Sequence, residues 1–89
     1  MQTKDKFKNA KGQLTKYALA CGYQELLDLP KTGITTRLYQ EHGCYQVRQH
    51  DHKQGKRLAL EGFSTLTEAR YFYNQLVRTA KFIESNYIN

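Results

Sequence analysis

The sequence predicts an α+β fold: a three-stranded antiparallel sheet packed against a C-terminal helix, with an additional N-terminal helix. Three observations predict it. Residues 35–63 hold three runs of strand character, separated by turn signals at His42-Gly43 and in the stretch DHKQG. From Leu66 onward the apolar residues switch to helical spacing. Between them, Thr65-x-x-Glu68 reads as a capping box, which fixes where the strand stops and the helix starts.

The chain opens with a basic segment, residues 1–11, expected to be a flexible arm ahead of a single domain over 12–89. Four of the six net positive charges fall in residues 1–16, where Lys4, Lys6, Lys8, Lys11 and Lys16 stand against Asp5 alone. Such an arm suits gripping phosphates, or simply stays solvated. Next, Leu14, Tyr17, Ala18 and Cys21 recur at the spacing of one helix face, and Gly22 sits where a left-handed residue would end that helix. The run QELLDL fits either more helix or a short extended piece. Leu29-Pro30 and Lys31-Thr32-Gly33 then form a turn, since Pro lacks a donor and Gly permits positive φ.

Within the three strands, alternation sends Leu38, Tyr45, Val47, Leu58 and Leu60 inward. It sends Arg37, Tyr39, Glu41, Gln46, Arg48, His50, Arg57, Ala59 and Glu61 outward. The covering helix, expected over about 65–84, carries Leu66, Ala69, Tyr73, Leu76, Val77 and Ala80 on its inner stripe. Tyr71 and Phe72 widen that stripe, so one of them must pack on the first helix, a tail or another molecule.

Composition narrows the function classes. At 89 residues the chain is one small domain. No stretch approaches the roughly 20 apolar residues of a membrane span, and no apolar run follows the first lysines as a secretory signal requires. Cys21 and Cys44 fit a reduced, cytoplasmic protein with buried free thiols. His42, Cys44, His50 and His52 invite a zinc reading, but Cys44 and His50 stand about 20 Å apart along one strand, too far to share an ion. No catalytic constellation is placed, apart from a loose His50-Asp51-His52 run. The expectation is a non-enzyme without cofactor. Helix, three strands and helix is also the order of double-stranded-RNA domains, yet Thr65–Glu68 lacks the lysines those carry at the start of the last helix.

The run Arg57-x-x-Leu60-x-x-Phe63-x-Thr65-x-x-Glu68-Ala69-x-x-x-Tyr73-Asn74 resembles the end of the plant APETALA-two/ethylene-response-factor DNA-binding domain. In that family a strand R-V-W-L-G-T-F leads through D-T into a helix E-E-A-A-x-A-Y-D. Upstream, Gly43-Cys44-Tyr45-Gln46-Val47-Arg48 is similar to its G-K-W/F-x-A-E, and Asp51…Gly55-Lys56-Arg57 to its D-P…G-x-R loop. The integrase N-terminal arm-binding domains of mobile elements share the shape. The likeness covers about residues 35–80. It implies a sheet laid in the DNA major groove, with contacts at Arg57, Arg48 and His50, and with Arg37 and Tyr39 on the same face after a one-residue adjustment. The Trp that the family places two residues after its third-strand Arg falls on Ala59, a departure, and Glu41 and Glu61 would repel phosphates.

Without the family the chemistry is similar: Arg bonds bidentately to guanine, and a β-ribbon fits a groove about 12 Å wide. Two functions are therefore carried forward. One is a small DNA-binding protein, of the kind a phage or mobile element encodes as an accessory factor. It would use Arg37, Tyr39, Arg48, His50 and Arg57, with Lys4, Lys6, Lys8 and Lys11 on phosphates. The other is a phage-encoded protein-binding inhibitor of host defence, of anti-CRISPR type, on the same scaffold. The sequence leaves the partner and the oligomeric state open.

Overall fold

The computed structural model describes residues 7–88. The sheet has four strands, not three, and this corrects the fold expected from sequence. In chain order the elements are α1 (Lys16–Ala20), β1 (Tyr23–Leu29), β2 (Ile34–Glu41), β3 (Cys44–Asp51), β4 (Lys56–Phe63) and α2 (Leu66–Ser85). The strands form one antiparallel meander in the order β1-β2-β3-β4.

The additional strand is the ambiguous run QELLDL. Its register sets Leu27 opposite Thr36 and Leu29 opposite Ile34 on the helix side, and Leu26 opposite Arg37 on the other. Leu26 is nevertheless buried, because the segment ahead of α1 packs over that side. A strand covered on both faces loses alternation and reads as a continuous apolar run.

The first helix is short. Thr15 caps it by accepting from Ala18 N, and it ends at Cys21 with Gly22 next, at φ 91°. Gly22 is required there twice over: a Cβ would also sit 2.5 Å from the carbonyl oxygen of Gln40. Tight turns space the strands. His42 and Gly43 both take positive φ, as the two-residue hairpin loop between β2 and β3 demands. The buried Asp51 carboxylate accepts from Lys53 N and Gln54 N, shaping the loop between β3 and β4.

The core lies between the sheet and α2. Leu38 and Val47 are cross-strand partners with no exposed surface, and Ala69 and Tyr73 of the helix close on them. Burying each such aliphatic side chain contributes about 1.5–3 kcal/mol. Phe63 and Phe72 meet at 5.4 Å, so Phe72 joins the core, whereas Tyr71 is the exposed one. Burial first, then the nearby Glu25 and Asp28 carboxylates, hold the Tyr73 phenol well above its usual range. The polar core group Gln49 is satisfied, donating to Thr36 Oγ1 and to the Leu76 carbonyl. Thr65 caps α2 as expected, its Oγ1 accepting from Glu68 N, and the Glu68 carboxylate reaches back to the Thr65 hydroxyl in place of the backbone N–H of a full capping box.

At its far end α2 is clasped to the turn between β1 and β2. Glu84 accepts from Lys31 N at 2.8 Å, Thr32 N at 2.9 Å and the Thr32 hydroxyl at 2.7 Å. Desolvation pushes the Glu84 carboxyl upward, but these hydrogen bonds and the charge of Lys31 outweigh it and hold it below the usual carboxylate range. A depressed folded-state value means stability that is present above the ordinary carboxylate pKa and lost as pH falls through the lowered one. Glu84→Gln is therefore expected to melt at a lower temperature than the native chain at pH 7. The gap should close as the pH is taken below about 4. Gly22→Ala, strained in φ and crowded by the Gln40 carbonyl, is expected to cost more than about 1 kcal/mol in denaturant unfolding.

Candidate nucleic-acid interface

The face of the sheet opposite α2 gathers the arginines. In the ladder between β2 and β3, Arg37 pairs with Arg48, Tyr39 with Gln46 and Thr35 with His50. Between β3 and β4, Arg48 pairs with Leu60 and His50 with Arg57. Residues opposite one another share a face, so Arg37, Arg48, His50 and Arg57 project from one surface on three neighbouring strands.

Arg57 arrives there through a β-bulge. Gln49 pairs with Ala59 but the next residue, His50, pairs with Arg57, which leaves Leu58 as an extra residue in β4. Phe63 faces the helix beside Tyr45, and a regular strand read back from it by twos would turn Arg57 inward as well. The inserted Leu58 reverses the parity and aims Arg57 out. The same device corrects the inward and outward assignments made from sequence for β4. Ala59 and Glu61 are on the helix side, Leu60 is on the outer face, and Leu58 and Leu60 remain 44% and 39% exposed. Their odd separation from Phe63 was the available signal, since Leu60 and Phe63 cannot both face inward in one regular strand.

Positive charge predominates on this face. Among the described residues the ion pair found is Arg70 with Glu25 at 2.9 Å, on the helix side. Glu61 has left the arginine face, and Glu41 stands four residues along β2 from Arg37, about 13 Å away. Asp28, on the outer face of β1, is engaged at 2.5 Å by the Thr35 hydroxyl. Arg48 Nε is shielded from solvent and has no hydrogen-bond partner among the described residues. Two like charges set directly across a ladder destabilise it, and an unmet buried donor adds to that cost.

Tyr39 is occupied differently. Its ring meets Tyr23 edge-on at 5.7 Å, Tyr23 meets Phe7 at 4.9 Å, and Phe7 meets Tyr17 at 5.7 Å. Tyr23 reaches this side because β1 has its own bulge, at Gln24. The row of rings seats the segment before α1 on the outer face at the β1–β2 end. There Lys8 bridges to Leu14, and Asn9 Oδ1 accepts from Lys11 N and Gln13 N in a compact turn. The turn that carries Lys8 and Lys11 thus borders this face, with Lys8 lining the groove that reaches Arg37, while Lys4 and Lys6 lie outside the described residues. Sequence reasoning missed Phe7, Tyr23 and Leu60 as members of this surface.

The two cysteines, expected to be buried, are both free and exposed, Cys21 at the end of α1 and Cys44 at the start of β3. His50 and His52 pack ring against ring at 4.8 Å. Among the described residues no three His, Cys, Asp or Glu side chains converge as metal ligands would, and no helix is long and apolar enough to cross a membrane. The chain matches no family model, no curated protein and no solved structure.

If Arg48 is held for a ligand and not for the fold, removing its charge relieves the ladder. Arg48→Leu is expected to stabilise the protein by about 0.5 kcal/mol at low salt. The gain should shrink as salt screens Arg37. A loss above about 1 kcal/mol in denaturant unfolding would identify Arg48 as a structural group instead.

Proposed function

We propose that this protein is a non-enzymatic module that binds double-stranded DNA with the outer face of β2, β3 and β4, in the manner of the APETALA-two-like sheets it resembles. The observation that carries the reading is the Arg37–Arg48 cross-strand pair, which makes no ion pair among the described residues and is joined by Arg57 through the bulge at Leu58. A folded chain sets guanidinium groups together at a cost, and an anionic partner offsets it.

Three adjacent strands span about 10 Å, which suits the roughly 12 Å major groove. The turn carrying Lys8 and Lys11 stands on the β1–β2 side, so the β3–β4 side leads into the groove. Arg48 and Arg57 then address base edges, Arg37 and His50 the flanking contacts, and Lys8 and Lys11 the phosphates. Tyr39 supports the surface through its ring contacts. Two free cysteines suit the reducing cytoplasm.

A second reading has its own observation. Leu58 and Leu60 leave apolar surface exposed next to Arg48 and Arg57, the mixture that a protein partner rewards. On that reading the chain is a protein-binding inhibitor.

A salt series on mixed-sequence duplex DNA separates the two. Lys8→Ala with Lys11→Ala should weaken all duplexes alike and flatten the log–log salt dependence by about 0.9 for each phosphate these lysines neutralise. Arg48→Ala with Arg57→Ala should remove discrimination among sequences, at a cost of about 1–3 kcal/mol for each base these arginines read. Wild-type binding that is absent at 50 mM salt, with an acidic protein partner retained instead, would move the function to the inhibitor.

A further inference from the structure

Between the N-terminal turn and the sheet runs a groove of roughly 790 Å³, within the range of small-ligand sites. Phe7, Lys8 and Asn9 line it from the turn, and Leu26, Asp28 and Arg37 from the outer face of β1 and β2. Three features define what fits. Phe7, only partly buried, offers a ring that a flat apolar body can lie against, and the buried Leu26 lines the groove beside it. Asp28 is oriented by the Thr35 hydroxyl on one oxygen, and its other oxygen is an acceptor for N–H groups. Arg37 lines the groove and belongs to the cationic face as well, with no ion pair of its own among the described residues. A planar ring with N–H donors at its edge and an anion attached is the chemistry of a nucleotide.

We propose that this groove holds one unpaired nucleotide, its base beside Phe7 and Leu26 with its edge toward Asp28, and its phosphate at Arg37. The inference rests on the nucleic-acid reading and extends it. Through Arg37 the groove is continuous with the sheet face, so a strand leaving a duplex on β2–β4 can place its first unpaired residue there. The protein then prefers duplexes with a single-stranded end over blunt ones. Base stacking on protein rings is worth about 1–3 kcal/mol per base, enough to produce such a preference.

The test is an amide-shift titration of the full chain with deoxyguanosine monophosphate and, separately, with inorganic phosphate. The nucleotide is expected to shift Phe7, Asn9, Gly12 and Leu26, and phosphate alone to leave Leu26 unmoved. Asp28→Asn should weaken the nucleotide about tenfold, as removing one hydrogen bond to a charged acceptor does. Arg48→Ala with Arg57→Ala, both outside the groove, should leave it unchanged. In parallel, a 5′-overhang duplex should bind more tightly than its blunt equivalent, and Asp28→Asn should abolish only that difference. No groove shifts at millimolar nucleotide, equal effects of phosphate and nucleotide, or equal affinity for blunt and overhanging duplexes would each overturn the inference while duplex binding stood. Nucleotide shifts without any duplex binding would keep the groove and remove the sheet-face reading. The native chain's titration decides the matter even if Asp28→Asn misfolds.

Discussion

The cross-strand packing of Leu38 on Val47, closed from above by Ala69 and Tyr73, is the constraint on which the rest of the structure depends. Side chains alternate along a strand, so fixing these two positions inward fixes every residue of β2 and β3. Arg37 and Arg48 flank the buried pair in sequence and are thereby sent to the opposite surface together, as ladder partners. A single residue's slip in either strand would bring a guanidinium under the helix. The apolar pair therefore does more than hold the sheet to α2: it determines which charges can meet a partner.

Parity alone does not account for β4 or β1, and both carry an inserted residue. Leu58 and Gln24 each let one strand serve two demands of opposite phase. In β4 the demands are Phe63 against Phe72 on the inside and Arg57 on the outside. In β1 they are Leu27 and Leu29 toward the helix and Tyr23 toward Phe7 and Tyr39. Each bulge interrupts the ladder locally. In both cases the residue it redirects lands on the outer face, next to the arginines or under the turn that borders them. Bulges of this kind also twist an edge strand away from unwanted pairing, which matters for β4 with Leu58 and Leu60 exposed.

Much of this was legible where one residue type has one physical use. The Thr65–Glu68 box, Gly22 after the first helix, the His42-Gly43 turn and the inward Leu38 and Val47 all follow from local sterics or a period of two. The fourth strand was not legible because both of its faces are covered, and double burial erases the alternation that marks a strand. The β4 register failed for a related reason. KRLALEGF alternates acceptably until Phe63 is required inward, and only the position of Phe72 on α2 supplies that requirement. The arginine face survived the error because the bulge compensates it at Arg57. The turn at Asn9 escaped notice because its partners, Tyr17 and Tyr23, are brought to Phe7 only by the fold.

The same geometry gives the outer face a charge pattern unlike that of most solvated sheet surfaces. Solvated antiparallel faces usually interleave opposite charges, since cross-strand pairs of opposite sign contribute up to about 1 kcal/mol and like pairs oppose folding. Alternation counted from Arg57 would set Glu61 among the arginines, but Phe63, packed on Phe72, places Glu61 on the helix side, and the bulge turns Arg57 alone outward. The inserted residue thus adds Arg57 to the cationic face, while the parity set by Phe63 keeps Glu61 off it. In an 89-residue domain with little stability to spare, such an arrangement works against the free fold, and the anionic partner proposed above would offset that cost.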